Sequence, residues 1–200
     1  MSDSPLHERL DKIVPRLDEV VAFRETLDAG TDRGCALMSA ACLDSQLEEL
    51  IRVSIVDDAD VADELLSQSK PLSSFSSRID LAYLLGHVGK NVRRNLHLIR
   101  KIRNDFGHTS SPLDFGHPPI AARCREMYHC FLDDADPPRK RFTNTVISIL
   151  AFIHGPIRFS NRPPLKSDVP MTPERRKRVL GSVDAIGEAI EQRKRKKTKT

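Results

Sequence analysis

The sequence predicts an all-α protein, a bundle of about five to eight helices. Three observations carry that prediction. Apolar residues recur at spacings of three and four through most of the chain. Clusters of Pro, Gly, Ser and Asp cut it into pieces of helical length. No segment shows the strict alternation of a half-buried strand. The chain has 200 residues, with no Trp, two Tyr and eight Phe, so the core must be mostly aliphatic.

Leu6, Leu10, Ile13, Leu17 and Val21 mark an amphipathic first helix, kinked or divided at Pro15. Gly30 ends it, and Thr31 or Asp32 can cap the next. Residues 33–56 form the strongest helix, whose early small residues would let another helix approach closely. Asp57 to Asp60 stop it and cap a short helix over 61–66. After the loop at Pro71, a helix from Phe75 to Leu85 ends near Gly86. Helices over 90–107, 120–132 and 139–154 follow. Thr172-Pro173-Glu174 opens a last helix, with Pro at its first position. The resulting division is a helical bundle over 1–155, a Pro-containing linker or strap over 156–170, a C-terminal helix over 171–192 and a basic disordered tail over 193–200.

Charge is unevenly spread. Residues 171–200 hold ten Lys/Arg against four Asp/Glu, whereas residues 1–170 have a net balance of −2. The Arg193-Lys194-Arg195-Lys196-Lys197 run could contact nucleic acid through phosphates, or could simply solubilise the terminus. No aromatic residue interleaves with it, so base stacking is not indicated. The N-terminus lacks the apolar stretch of a signal peptide, and no run is long enough to span a membrane. The expectation is a soluble cytoplasmic protein. Cys35, Cys42, Cys124 and Cys130 form no C-x-x-C pair, so neither zinc nor disulfides are expected. His97, His117, His129 and His154 are scattered and read as surface or hydrogen-bonded side chains. Phosphate-loop, dinucleotide-binding and nucleophile-elbow motifs are absent from the sequence, and no cofactor is expected.

The most informative segment is Arg100-Lys101-Ile102-Arg103-Asn104-Asp105-Phe106-Gly107-His108. Projected as a helix, Val92, Leu96, Leu98, Ile99, Ile102 and Phe106 share one side, and Arg103 falls inside that apolar sector. An inward guanidinium needs an anionic partner, for which Asp44, Glu48 and Glu49 are candidates, as is an external phosphate. His108 lies about 140° from Arg103 on a continuous helix. A left-handed turn at Gly107 would end the helix and could bring His108 back beside Arg103. Arg103 and His108 would then suit phosphodiester cleavage, His108 moving the proton and Arg103 stabilising the charged transition state. General acid and general base are two roles, so a dimer would supply the second histidine. The plainer reading is that both side chains stabilise the helix C-terminus.

Five segments occur in order: Arg33–Leu37, Leu43–Leu50, Pro71–Ile79, Leu81–Tyr83 and Leu98–His108. This series resembles the mannitol operon repressor family, over roughly residues 30–130. The resemblance implies an all-helical bacterial transcriptional regulator without an obvious DNA-reading helix-turn-helix, hence a co-regulator acting through protein partners. The Arg103-to-His108 spacing also resembles the signature of the HEPN superfamily, helical domains that commonly dimerise and of which many are metal-independent ribonucleases. That resemblance implies Arg103 and His108 as the active pair, Asn104 as the polar neighbour, and Asp44 or Glu48 as a structural acidic partner. Gly107 stands where a mannitol-repressor-type sequence more often has Ala. Three functions follow: a regulator, a ribonuclease of a toxin or defence type, and a module that holds a phosphate or nucleotide without cutting it. A homodimer is expected, with a protein or nucleic-acid partner (RNA or DNA) and no membrane association.

Overall fold

The computed structural model describes residues 16–109, 112–128, 136–159, 162–168 and 170–197. Among them are eight α-helices and no strand. The chain divides into two units, Met1–Pro164 and Leu165–Thr200. Leu6, Leu10, Ile13 and Pro15 lie outside the described residues.

In the first unit, α1 runs from Leu17 to Ala29. It buries Val20 and Leu27 and leaves Val21 exposed, so its inward face is offset by one residue from the expected one. Helix α2, Asp32–Ser54, is the axis of the bundle, with α1, α4, α5 and α7 all packed on it. Thr31 caps it, its hydroxyl accepting from the Gly34 amide at 3.1 Å. The buried small residues Ala36, Ser39 and Ala40 sit early in this helix, where the expected close approach needs them. Asp58 caps α3, Ala59–Leu66, by accepting from the Val61 amide at 3.1 Å. Ser74 caps α4, Phe75–Leu84, which gives way to Gly86 at φ +80°, a left-handed conformation that suits glycine.

Helix α5 spans Lys90–His108 and α6 spans Pro118–Glu126, starting two residues before the expected 120–132, of which 129–132 lie outside the described residues. Helix α7 spans Pro138–Phe159 and carries Pro156 in its last turns, beyond the expected end near 154. Leu43, Leu47 and Leu50 of α2, Leu96, Ile99 and Ile102 of α5, and Val146 and Ile153 of α7 form one core. Phe106, Phe115 and Phe142 stack through it, with ring centres 5.3 and 4.9 Å apart.

The second unit contains α8, Pro173–Lys197. The Arg175 amide reaches the Thr172 hydroxyl at 3.3 Å, the N-terminal cap that the Thr-Pro-Glu sequence suggests. The helix includes the basic run from Arg193 to Lys197, for which the sequence suggested an irregular tail. Val179, Val183, Ile186 and Ile190 are exposed on α8.

Candidate functional site

Helix α5 does not end at Gly107. It continues through His108 to a C-cap at Thr109, and Gly107 has no positive φ. The reason lies on α2. Arg33 donates from Nε to the Phe106 carbonyl at 2.9 Å and from Nη2 to the Thr109 carbonyl. A cation thus meets the carbonyls left open at a helix C-terminus, the task otherwise performed by a left-handed glycine. The Arg103 and His108 side chains therefore leave an unbroken helix about 140° apart. Both are exposed. The expected turn that would fold His108 back beside Arg103 is absent.

Arg103 also departs from its expected inward position. Its Nη1 donates to Asn104 Oδ1 at 3.0 Å, and no carboxylate engages it among the described residues. The projection placed it correctly in direction, in line with Leu96 and Ile99. The difference is what stands there: at the level of Arg103 an open groove replaces a packed helix. The groove has a volume of about 780 Å³ and lies among α2, α4 and α5. Ala40, Ala41, Asp44 and Glu48 come from α2, Ser73 to Ser76 from the start of α4, and Arg100, Arg103 and Asn104 from α5.

The acidic residues assigned to Arg103 serve another arginine. Arg78 of α4 is 7 % exposed. It donates to Asp44 Oδ1 at 2.8 Å, to Glu48 Oε2 at 2.6 Å and to the Leu66 carbonyl at 2.9 Å. Arg52 holds the other Glu48 oxygen at 2.9 Å and reaches Asp63 at 2.8 Å. Glu49 instead binds Arg16 at 2.7 Å. Arg78 was not singled out from the sequence. Its signal was its place inside the Ser-rich segment Pro71–Ile79, one helical turn after the Ser74 cap.

Arg100 differs from Arg78. Its Nε is buried without a partner, and no described residue hydrogen-bonds to or ion-pairs with its guanidinium. The Arg78 Nε is likewise buried and unpartnered. Among the other sequence candidates, Cys35, Cys42 and Cys124 are free thiols. Burial raises the pKa of all three, that of Cys124 to about 12, so each stays a thiol at neutral pH. Cys130 and His129 lie outside the described residues. His97 meets Asp80 at 3.1 Å and His154 meets Gln46 at 2.9 Å, the hydrogen-bonded roles expected of scattered histidines. No described group of three His, Cys, Asp or Glu could hold a metal ion. No described helix is long and apolar enough to cross a membrane.

An all-helical bundle with an arginine-lined groove at the end of α5 is the class of protein that these observations define. No family model matches the chain, and no curated protein matches it in sequence. Among solved structures, the bundle is similar to a chain in the X-ray structure of the MtlR–HPr complex from Escherichia coli. The TM-score is 0.58 at 19% identity, covering 68% of this chain and 98% of that one. That likeness concerns the fold.

Proposed function

We propose that this chain is a transcriptional regulator of the mannitol-repressor type that acts by binding a protein partner in the cytoplasm. The observation that carries this reading is the match of the bundle to nearly the whole of a chain from a complex between MtlR and HPr. The ordered motif series over residues 30–130 is a second support. On this reading the groove-bearing bundle is the working unit, and the basic run of α8 adds weak, salt-dependent contact with nucleic acid. Titration calorimetry of the full chain with HPr from the same bacterium tests the proposal. A stoichiometric complex with Kd in the range of about 1 μM is expected. Absence of binding to HPr at about 100-fold higher concentration overturns it. Sedimentation of the same preparation measures the homodimer that the family resemblance implies.

A second reading keeps one specific support. Arg103 and His108 are both exposed near the end of α5, and neither is tied up in an ion pair among the described residues. Because the two side chains diverge, metal-independent cleavage of RNA would need His108 from a second copy facing Arg103 and Asn104 of the first. Digestion of tRNA in excess EDTA tests this. Cutting by the native chain, leaving 2′,3′-cyclic phosphate ends, with loss in both Arg103→Ala and His108→Ala, is its required result. Intact RNA with all three proteins folded removes it.

A further inference from the structure

We propose that the groove among α2, α4 and α5 is a binding site for a small phosphomonoester, with Arg100 as its principal cation. The site does not depend on the identity of the protein partner. The first argument is charge. The groove is lined by Arg78, Arg100 and Arg103 against Asp44 and Glu48. Both carboxylates are occupied by Arg78, at 2.8 and 2.6 Å, and Glu48 also by Arg52. Arg100 and Arg103 are left without a carboxylate, and they stand on the same wall, three residues apart on α5.

The second argument is solvation. The Arg100 Nε has lost water without gaining an acceptor among the described residues, which is unfavourable, while the side chain as a whole is only partly covered. Arg78, 7 % exposed, has the same defect at its own Nε on the facing side of the groove. Besides Ser39 Oγ, these two are the buried side-chain atoms without a partner among the described residues, and both belong to arginines of this groove. The opening turn of α4 adds to this, since Ser74, Phe75 and Ser76 line the groove where the helix dipole is positive and amides remain open.

The third argument is size and lining. About 780 Å³ is far more than a bare phosphate ion fills and lies within the range of small-molecule sites. Ser45, Ser73, Ser76 and Asn104 offer hydroxyl and amide groups to a polar body. A phosphate on Arg100 and Arg103, with a hydroxyl-bearing body along the serines, satisfies both ends.

Titration calorimetry of the full chain in phosphate- and sulfate-free buffer tests this, using ribose 5-phosphate, ribose and inorganic phosphate. Ribose 5-phosphate should bind with Kd of about 1 mM or tighter, and ribose should not bind. Arg100→Gln should weaken it about tenfold or more, the effect of losing one charge-assisted hydrogen bond. Arg100→Lys should recover part of the loss. Arg94→Gln, which alters an α5 arginine paired with Glu126 outside the groove, should bind as the native chain does. Circular dichroism confirms that each variant is folded. Failure of ribose 5-phosphate to bind, or binding unaltered by Arg100→Gln, overturns the proposal. Equal affinity for inorganic phosphate and the ester overturns the small-molecule assignment. Displacement by a short RNA at lower concentration than the ester assigns the phosphate to a nucleic acid instead.

Discussion

Arg78 and Arg100 line the same groove from opposite helices, yet they are different kinds of arginine. Arg78 is nearly covered, and its two terminal nitrogens reach two carboxylates and a carbonyl on α2 and α3. It ties α4 and the loop before it to the bundle axis. Arg100 is covered only in part and meets no acceptor among the described residues. A paired buried charge is a fastener, because removing one partner strands the others. An unpaired one gains no such stabilisation in the free protein and stays open to a ligand.

The largest expected effect breaks this comparison at its paired side. Arg78→Met should lower the stability of the bundle by about 2 kcal/mol, because the buried guanidinium is the cation of the half-buried Asp44 and one of two for Glu48. Arg100→Met should change stability by no more than about 0.5 kcal/mol, or raise it. Urea denaturation of both variants measures the difference. Equal losses would mean that Arg100 has a structural partner after all. Neutralising Asp44 and Glu48 in the Arg78→Met background (Asp44→Asn, Glu48→Gln) should recover part of the loss, which separates stranded charge from lost packing.

The same pair shows how much of the molecule could be read in advance. Periodicity and capping residues placed the helices well, because Thr31, Asp58, Ser74 and Gly86 act locally and their partners are three or four residues away. The groove was not legible in that way. A helical projection says in which direction Arg103 points, but not whether a helix or open space stands there. It also cannot say that Asp44 and Glu48 would choose Arg78, 34 and 30 positions on, over Arg103. Gly107 also misled, because Arg33, 73 residues before Phe106, takes the Phe106 carbonyl and overrides the expected turn. Local grammar sets a helix end only where no tertiary cation takes over its carbonyls.

Arg33 provides the next sharpening, since it is a paired arginine whose partners are carbonyls and not carboxylates. Arg33→Ala should cost about 1–2 kcal/mol, with two acceptors at the end of α5 left to water. Amide exchange should quicken for residues 104–109 and stay unchanged in the middle of α5. Protection that is lost evenly along α5 would mean that Arg33 holds the whole helix and not its end. If the end of α5 does loosen, ribose 5-phosphate should also bind more weakly, because Asn104 lies in that stretch and Arg103 directly precedes it.

The smallest effect comes from an arginine pair at the surface. Arg93 meets Asp80 at 2.6 Å and His97 joins the same oxygen at 3.1 Å, but Arg93 and Asp80 are 40% and 43% exposed. Burial pushes the Asp80 carboxyl up, while Arg93 and His97 together outweigh it and hold the carboxyl below its ordinary value of 3.8. A carboxyl with a depressed folded pKa stabilises the fold above its unfolded value, and that contribution fades as pH falls through the folded one. Arg93→Gln should therefore lower stability slightly at pH 7, by well under about 1 kcal/mol after solvent screening. The native and variant curves should converge in acid, near and below pH 3.8. High salt should shrink the gap further, whereas more of the cost of Arg78→Met should persist, because its guanidinium is buried and a partly buried pair is screened less. A gap for Arg93→Gln that survives both acid and salt would show stacking of the guanidinium over the Tyr83 ring, 5.3 Å from its centre, and not the ion pair, to be its contribution.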